Sequence, residues 1–205
     1  MHQIVNNLIK IQNQLKDLNE KRLKDNTKII AVSKTFPINK ILPLIEHGHT
    51  DFGENKVQEA IEKWTDIKKK YHLIKLHMIG KLQTNKVKFA INLFDYIHSL
   101  DNFKLAKKIS DEQKKNNKKP KIFIQINIGN ESQKSGINPT ELNEFYNNCI
   151  NELDLDIIGI MCLPPNDNKG DFYFKKMSEL IQRISVNELS MGMSNDYLEA
   201  FNYGA

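Results

Sequence analysis

The chain has little of several things that would mark other kinds of protein. Cys149 and Cys162 are its only cysteines, and neither a CxxC pair nor a metal-ligand spacing to the histidines is present. That argues against a disulfide scaffold and against a zinc site of recognisable pattern. Arginine is nearly absent: all but Arg22 and Arg183 of the 30 cationic side chains are lysine. The net charge of +5 is therefore carried by point charges rather than guanidinium forks. The lysine clusters at Lys68-Lys69-Lys70 and from Lys114 to Lys119 have no stacking aromatics between them. They are expected to be solvated helix ends and loops, and no nucleic-acid surface is expected. No apolar stretch reaches the roughly 20 residues that span a bilayer. The apolar residues of the first 23 positions are spaced rather than contiguous, unlike a signal peptide. Unmatched thiols without an export signal predict a cytoplasmic, reducing environment and no membrane partner.

What is present is a regular alternation of strand and helix signals over 205 residues, read as one domain. Ile4, Leu8, Ile11, Leu15 and Leu18 recur at helical spacing and predict an N-terminal helix over about residues 1–24. Strands are predicted at Lys28–Lys34, Thr50–Asn55, Lys75–Gly80, Tyr96–Leu100, Lys121–Ile128, Asp156–Leu163 and Glu188–Gly192. A helical segment is expected after each. Such a chain builds a parallel sheet with crossover helices, either a doubly wound sheet or a (β/α)8 TIM-type barrel. No dinucleotide-binding or P-loop glycine pattern comes after any strand, which weakens the first. Polar residues gather at the predicted strand ends, at Lys34, Asn55, His77, Ser99, Asn127 and Ser190, where the strands of a barrel converge on one mouth. Closing the barrel needs an eighth strand, which is expected to be missing because the sequence stops at Ala205.

Lys34 stands out. It ends the apolar run Lys28–Val32 and is succeeded by Thr35-Phe36-Pro37. A lysine between core and solvent, partly desolvated, is favoured as a neutral amine that attacks carbonyls. A strand-end surface lysine is the plain alternative. In Asp51-Phe52-Gly53-Glu54-Asn55, the last two residues could equally cap the next helix. His77 is either a core histidine or a flat wall for a planar ligand. Glu131 to Ile137 reads as a mouth loop carrying a second lysine, Lys134, or as an ordinary solvated turn. Leu189-Ser190-Met191-Gly192-Met193-Ser194 precedes a helix, and its amides and hydroxyls could hold a phosphate.

Taken together, AVSKTFP, DFGENKVQEA, HMIGKLQTNK, HSLDN, IQINIGNESQKSGI, IGIMCLPP and ELSMGMSNDYLEA resemble the pyridoxal-phosphate homeostasis protein family in order and spacing. That family is similar to the N-terminal barrel of alanine racemase. The resemblance implies pyridoxal 5′-phosphate (PLP) as cofactor, held as a Schiff base on Lys34. It places Asn55 and His77 along the ring and Ser190, Ser194 and their amides at the phosphate. It implies an intracellular PLP reservoir without robust catalysis, working as a monomer or weak dimer, with PLP-dependent apo-enzymes as candidate recipients. The rival is a racemase-like enzyme. It needs a second base, which alanine racemase takes from a tyrosine of its partner's additional domain; here Tyr96 or Tyr203 would have to serve. Three departures are visible. The sequence stops before the Arg-Ile-Gly strand with which the family usually continues, so weak thermal stability is expected. Asn102 stands where arginine is frequent, and Leu76 where tryptophan is usual.

Overall fold

A computed structural model describes residues 2–19 and 27–205. Seven strands form one sheet in sequence order: β1 (Ala31–Val32), β2 (Asp51–Glu54), β3 (Lys75–Met78), β4 (Tyr96–Leu100), β5 (Lys121–Ile126), β6 (Asp156–Cys162) and β7 (Glu188–Ser190). Every neighbouring pair is parallel. The helices are α1 (Gln3–Asn19), α2 (Ile38–Glu46), α3 (Val57–Lys70), α4 (Val87–Leu93), α5 (Phe103–Asn116), α6 (Leu142–Asn151), α7 (Gly170–Leu180) and α8 (Tyr197–Asn202). The predicted end of the first helix, residues 20–24, lies outside the described residues.

The sheet is strongly curled. The Ser190 hydroxyl on β7 lies 2.7 Å from Nδ1 of His98 on β4. In a flat sheet, strands three apart are separated by roughly 14 Å at about 4.8 Å per strand. The strands therefore wrap around an interior, in the manner of a TIM-type barrel. Among the described residues no eighth strand pairs with β1 or β7. Both edges are short, which limits the exposed ladder available to another chain.

The main core lies between sheet and helices. Phe52, Leu76, Met78, Ile97, Ile122 and Ile124 point outward from successive strands and are fully buried. Against them pack Ala60 and Trp64 of α3, Val87 and Ile91 of α4, and Leu105 and Ile109 of α5. Each large apolar side chain among them contributes about 1.5–3 kcal/mol of burial. Leu76 is thus filled into this layer where the resemblance leads one to expect tryptophan. A smaller interior cluster joins Tyr96, Phe123 and Met161. Helix ends obey local chemistry. Asn102, in place of arginine, caps α5 by accepting the Leu105 amide. Asn138 forms a capping box with Glu141 ahead of α6, as its position before Pro139 predicts.

Two expectations change. The predicted first strand, Lys28–Lys34, contracts to Ala31–Val32, the residues in register with Phe52 and Gly53 of β2, with Ser33 adding one further backbone bond to Gly53. Lys68 is no solvated helix end. It binds the Asp95 carboxylate and the Leu93 carbonyl, tying α3 to the start of β4.

Candidate functional site

The strand C-termini open into a mouth lined by residues just beyond β1, β2, β3, β6 and β7, with a cavity of about 2060 Å3 beneath it. Lys34, Asn55, His77, Ser190 and Ser194 all line it.

Lys34 sits on a four-residue turn closed by the Phe36 amide donating to the Ser33 carbonyl at 3.2 Å. Its neighbour Thr35 has φ +66°, a conformation that a β-branched residue rarely takes. The network that holds this turn is buried beneath it. The Glu54 carboxylate is fully buried and accepts from the Ser33 hydroxyl (2.7 Å), Lys63 Nζ (2.9 Å) and the Trp64 indole (2.9 Å), all through Oε1. Lys63 also donates to the Ser33 carbonyl at 2.8 Å. Glu54 therefore does not cap α3; Lys56 occupies that position, without a side-chain cap. Lys34 itself is exposed and has no hydrogen bond or ion pair among the described residues. This exposure is contrary to the desolvation expected from sequence; what the network fixes is the position of the turn.

Asn55 comes directly after β2 and is half-buried. Its Oδ1 is buried without a hydrogen-bond partner among the described residues. An unpaired buried amide oxygen costs about 1–3 kcal/mol, a cost that a donor at this position would remove. The backbone of Gly80 presses on it: a Cβ at Gly80 would lie 2.4 Å from the Asn55 carbonyl oxygen. This close approach is the structural reason for glycine in HMIGKLQTNK.

His77 lies deeper, at 2% exposure. Its ring stacks on Tyr96 at 4.2 Å, and both nitrogens are engaged: Nε2 with Asp51 Oδ1 at 3.0 Å and Nδ1 with His98 Nε2 at 2.9 Å. It has no polar atom left for a ligand. His98 in turn stacks on Phe123 at 4.3 Å and reaches Ser190. Burial, with the electrostatic effect of the neighbouring His77 ring acting in the same direction, holds His98 well below the usual histidine pKa, so its ring is neutral. Burial pushes the Asp51 carboxyl up. Hydrogen bonds from His77 and Thr50 outweigh it and leave the pKa below the ordinary value.

Ser190 is half-buried and Ser194 exposed. Between them Gly192 has φ +87°, and a Cβ there would come within 2.7 Å of the Ala200 side chain. The Met193 amide donates to Asp196 and is unavailable to an anion. The Ser194 hydroxyl makes no hydrogen bond among the described residues. Lys134 approaches the mouth but is held by Glu131 at 2.6 Å and by the Pro164 carbonyl at 3.3 Å. Asn127 is spent on its own loop, exchanging hydrogen bonds with the Glu131 backbone. Ser99 is buried with its hydroxyl unpartnered among the described residues. Cys149 and Cys162 are buried, which pushes both thiols up to about 12 and leaves them unreactive. Among the described residues no cluster of His, Cys, Asp and Glu could hold a metal ion, and no helix is long and apolar enough to cross a membrane.

Lys63, Trp64 and His98 are the members of this site that reading the sequence did not single out; Asp51 and Glu54 stood in a quoted segment, without the partners found here.

The curled parallel sheet defines a β/α-barrel protein whose candidate site lies at the strand C-termini. The chain belongs to the family described as alanine racemase, N-terminal domain, which it matches over residues 7–204. Among curated relatives, it is 38% identical to the pyridoxal phosphate homeostasis protein of Haemophilus influenzae, over 91% of this chain and 83% of that protein. The protein of the same name from Aquifex aeolicus is 36% identical, over 87% of this chain and 81% of the other. Among solved structures, PipY of Synechococcus elongatus with PLP bound superposes with a TM-score of 0.79 at 30% identity, covering 94% of this chain and 93% of that one. An alanine racemase of Clostridium difficile shares the fold at 16% identity, with a TM-score of 0.71 and coverage of 98% of this chain and 54% of that one.

Proposed function

We propose that this chain binds PLP through Lys34 and serves intracellular PLP homeostasis as a holder of the cofactor rather than as an enzyme. The single observation that carries the reading is the placement of an exposed lysine, unpaired among the described residues, on a turn that a buried network holds at the barrel mouth. When bound, PLP supplies an aldehyde that an amine captures reversibly as a Schiff base. The residues present fit such a ligand. Lys34 offers the amine. Asn55 offers an amide whose buried oxygen lacks a donor. Ser190, Ser194 and the turn at Gly192 offer hydroxyls and amides for the phosphate. His77, expected along the ring, lines the same cavity and supports this wall through His98. The names of the relatives and the PLP-bound PipY support the same ligand.

The non-catalytic part of the reading rests on the groups that face the mouth. A racemase needs a second base across the ring. Tyr203 is hydrogen-bonded to Asp171, which raises its pKa and makes it harder to ionise at neutral pH. Tyr96 is packed against His77 and takes a hydrogen bond from Lys28 at 3.5 Å, inside the barrel. Neither is poised for proton exchange at the mouth.

The test is the visible absorbance of protein mixed with PLP, for the wild type and for Lys34→Ala, with racemisation of alanine assayed in parallel. The reading predicts a borohydride-sensitive band in the wild type, none in Lys34→Ala, and no racemisation in either. Sustained turnover by the wild type alone would favour the racemase-like alternative.

A further inference from the structure

A continuous hydrogen-bonded line crosses the barrel interior, from Thr50 Oγ1 to Asp51 Oδ2 (2.6 Å), Asp51 Oδ1 to His77 Nε2 (3.0 Å), His77 Nδ1 to His98 Nε2 (2.9 Å) and His98 Nδ1 to Ser190 Oγ (2.7 Å). It runs from the residue before β2 to the last residue of β7. Each link constrains the next. An ionised Asp51 accepts, so His77 Nε2 carries a hydrogen. With His77 neutral, its Nδ1 is a lone pair, and His98 Nε2–H must donate to it. His98 Nδ1 is then a lone pair as well, and the Ser190 hydroxyl must donate inward. In that state Ser190 turns only lone pairs toward the mouth, which repel a phosphate oxygen.

One added proton reverses the line. When His77 carries hydrogen on both nitrogens, its Nδ1–H donates to His98 Nε2. His98 then holds its single hydrogen on Nδ1 and donates to Ser190 Oγ. The Ser190 hydrogen is released toward the mouth. The His98 ring stays neutral throughout: it loses a hydrogen at Nε2 and gains one at Nδ1. The net change is one proton, taken from water by the Asp51–His77 pair. Reversing the line without it would leave the His77 Nε2 lone pair facing the Asp51 carboxylate.

We infer that Asp51, His77 and His98 are positioning residues for anion binding: phosphate at Ser190 is coupled to uptake of one proton at the far end of this relay. The inference rests on the reading that Ser190 contacts the PLP phosphate. The surroundings of His77 suit the role. Asp51 and His49 face it from β2 and the turn before it, and Tyr96 and His98 from β4. Lys28 and Lys121 lie over the Tyr96 ring, 5.6 and 5.9 Å from its centre. Lys28 also acts on Asp51, helping to keep it ionised. By linkage, protonation and phosphate affinity strengthen each other equally.

The experiment is calorimetry of PLP binding in two buffers of different ionisation enthalpy, with pyridoxal as the ligand lacking phosphate. Wild type is compared with His98→Phe, which keeps the stack on Phe123 but cuts the line, and with Ser190→Ala, which removes its end. The ligand's own ionisation and its reaction with lysine are common to all three proteins. Wild type should take up about one proton more per PLP than either variant. Its affinity relative to His98→Phe should fall about tenfold per pH unit wherever that uptake occurs. Pyridoxal should show no such difference. Imidazole 15N shifts should show His77 Nδ1 gaining a hydrogen when PLP binds, and unchanged shifts would overturn the relay. Equal proton counts in wild type and in whichever variant folds would also overturn it, as would the same difference with pyridoxal. Failure of wild type to retain PLP at all would overturn the binding reading itself, which separates the two.

Discussion

The two walls of the barrel mouth are built by opposite means. On the β1–β2 side, the Lys34 turn rests on a fully buried carboxylate with three donors, and Thr35 is held at a strained φ. On the β7 side, the Ser190 hydroxyl is tied by one hydrogen bond to a neutral histidine, and the loop beyond it exposes Met193 and Ser194. The first wall is over-determined: displacing Lys34 means breaking buried ionic contacts. The second is adjustable: the direction of one hydroxyl depends on where a proton sits two rings away. The difference suits a holder of a reactive aldehyde, with the attachment point fixed and the grip on the anion responsive to conditions.

The comparison breaks most sharply at Glu54. Glu54→Ala leaves Lys63 and the Trp64 indole without their buried partner. It should cost about 3–5 kcal/mol in denaturant unfolding, as expected when one member of a buried ion pair is removed. Ser190→Ala should change stability far less. Equal losses in the two variants would erase the distinction between the walls.

A second difference lies in pH. Burial lowers the pKa of His98 and of His49 from the ordinary value of 6.5. The unfolded chain takes up protons below about pH 6.5 that the fold refuses. Stability from these groups is therefore present above that pH and lost as pH falls. For His98 the slope is at most about 1.4 kcal/mol per pH unit. Thermal unfolding from about pH 7.5 to 5 should show this loss, and His98→Phe should flatten it. An unchanged slope in that variant would place the acid sensitivity elsewhere.

The smallest effect is expected at Thr35. Thr35→Gly relieves a left-handed β-branched residue but frees the unfolded chain. The net gain in stability should be at most about 1 kcal/mol. PLP capture should nevertheless weaken, because the turn bearing Lys34 loosens. Tighter capture together with higher stability would mean that the strain has no part in positioning the amine.

Much of this architecture was legible in the sequence, and the parts that were not share a cause. The alternation of elements, the limits of β4 and the gathering of Lys34, Asn55 and Ser190 at one mouth come from local patterns. Glu54 was open to reading as a helix cap because acidic residues ahead of a helix usually are. Its true partners lie at Ser33, just past β1, and at Lys63 and Trp64 on α3. His98 sits inside HSLDN among apolar neighbours and looks like core. Its bonds to His77 and to Ser190 span 21 and 92 positions of sequence, and only the curl of the sheet joins them. The desolvation expected for Lys34 failed because β1 is a two-residue edge strand, too short to bury the side chains just beyond its end.

The central claim is that Lys34, and not the other mouth lysine, carries the cofactor. The most direct measurement is peptide mass mapping of wild-type protein loaded with one equivalent of PLP and reduced with borohydride. The account predicts the pyridoxyl label on the peptide containing Lys34, with Lys134 unlabelled because Glu131 and the Pro164 carbonyl hold its amine. A label found chiefly on Lys134, or spread over many lysines, would contradict it.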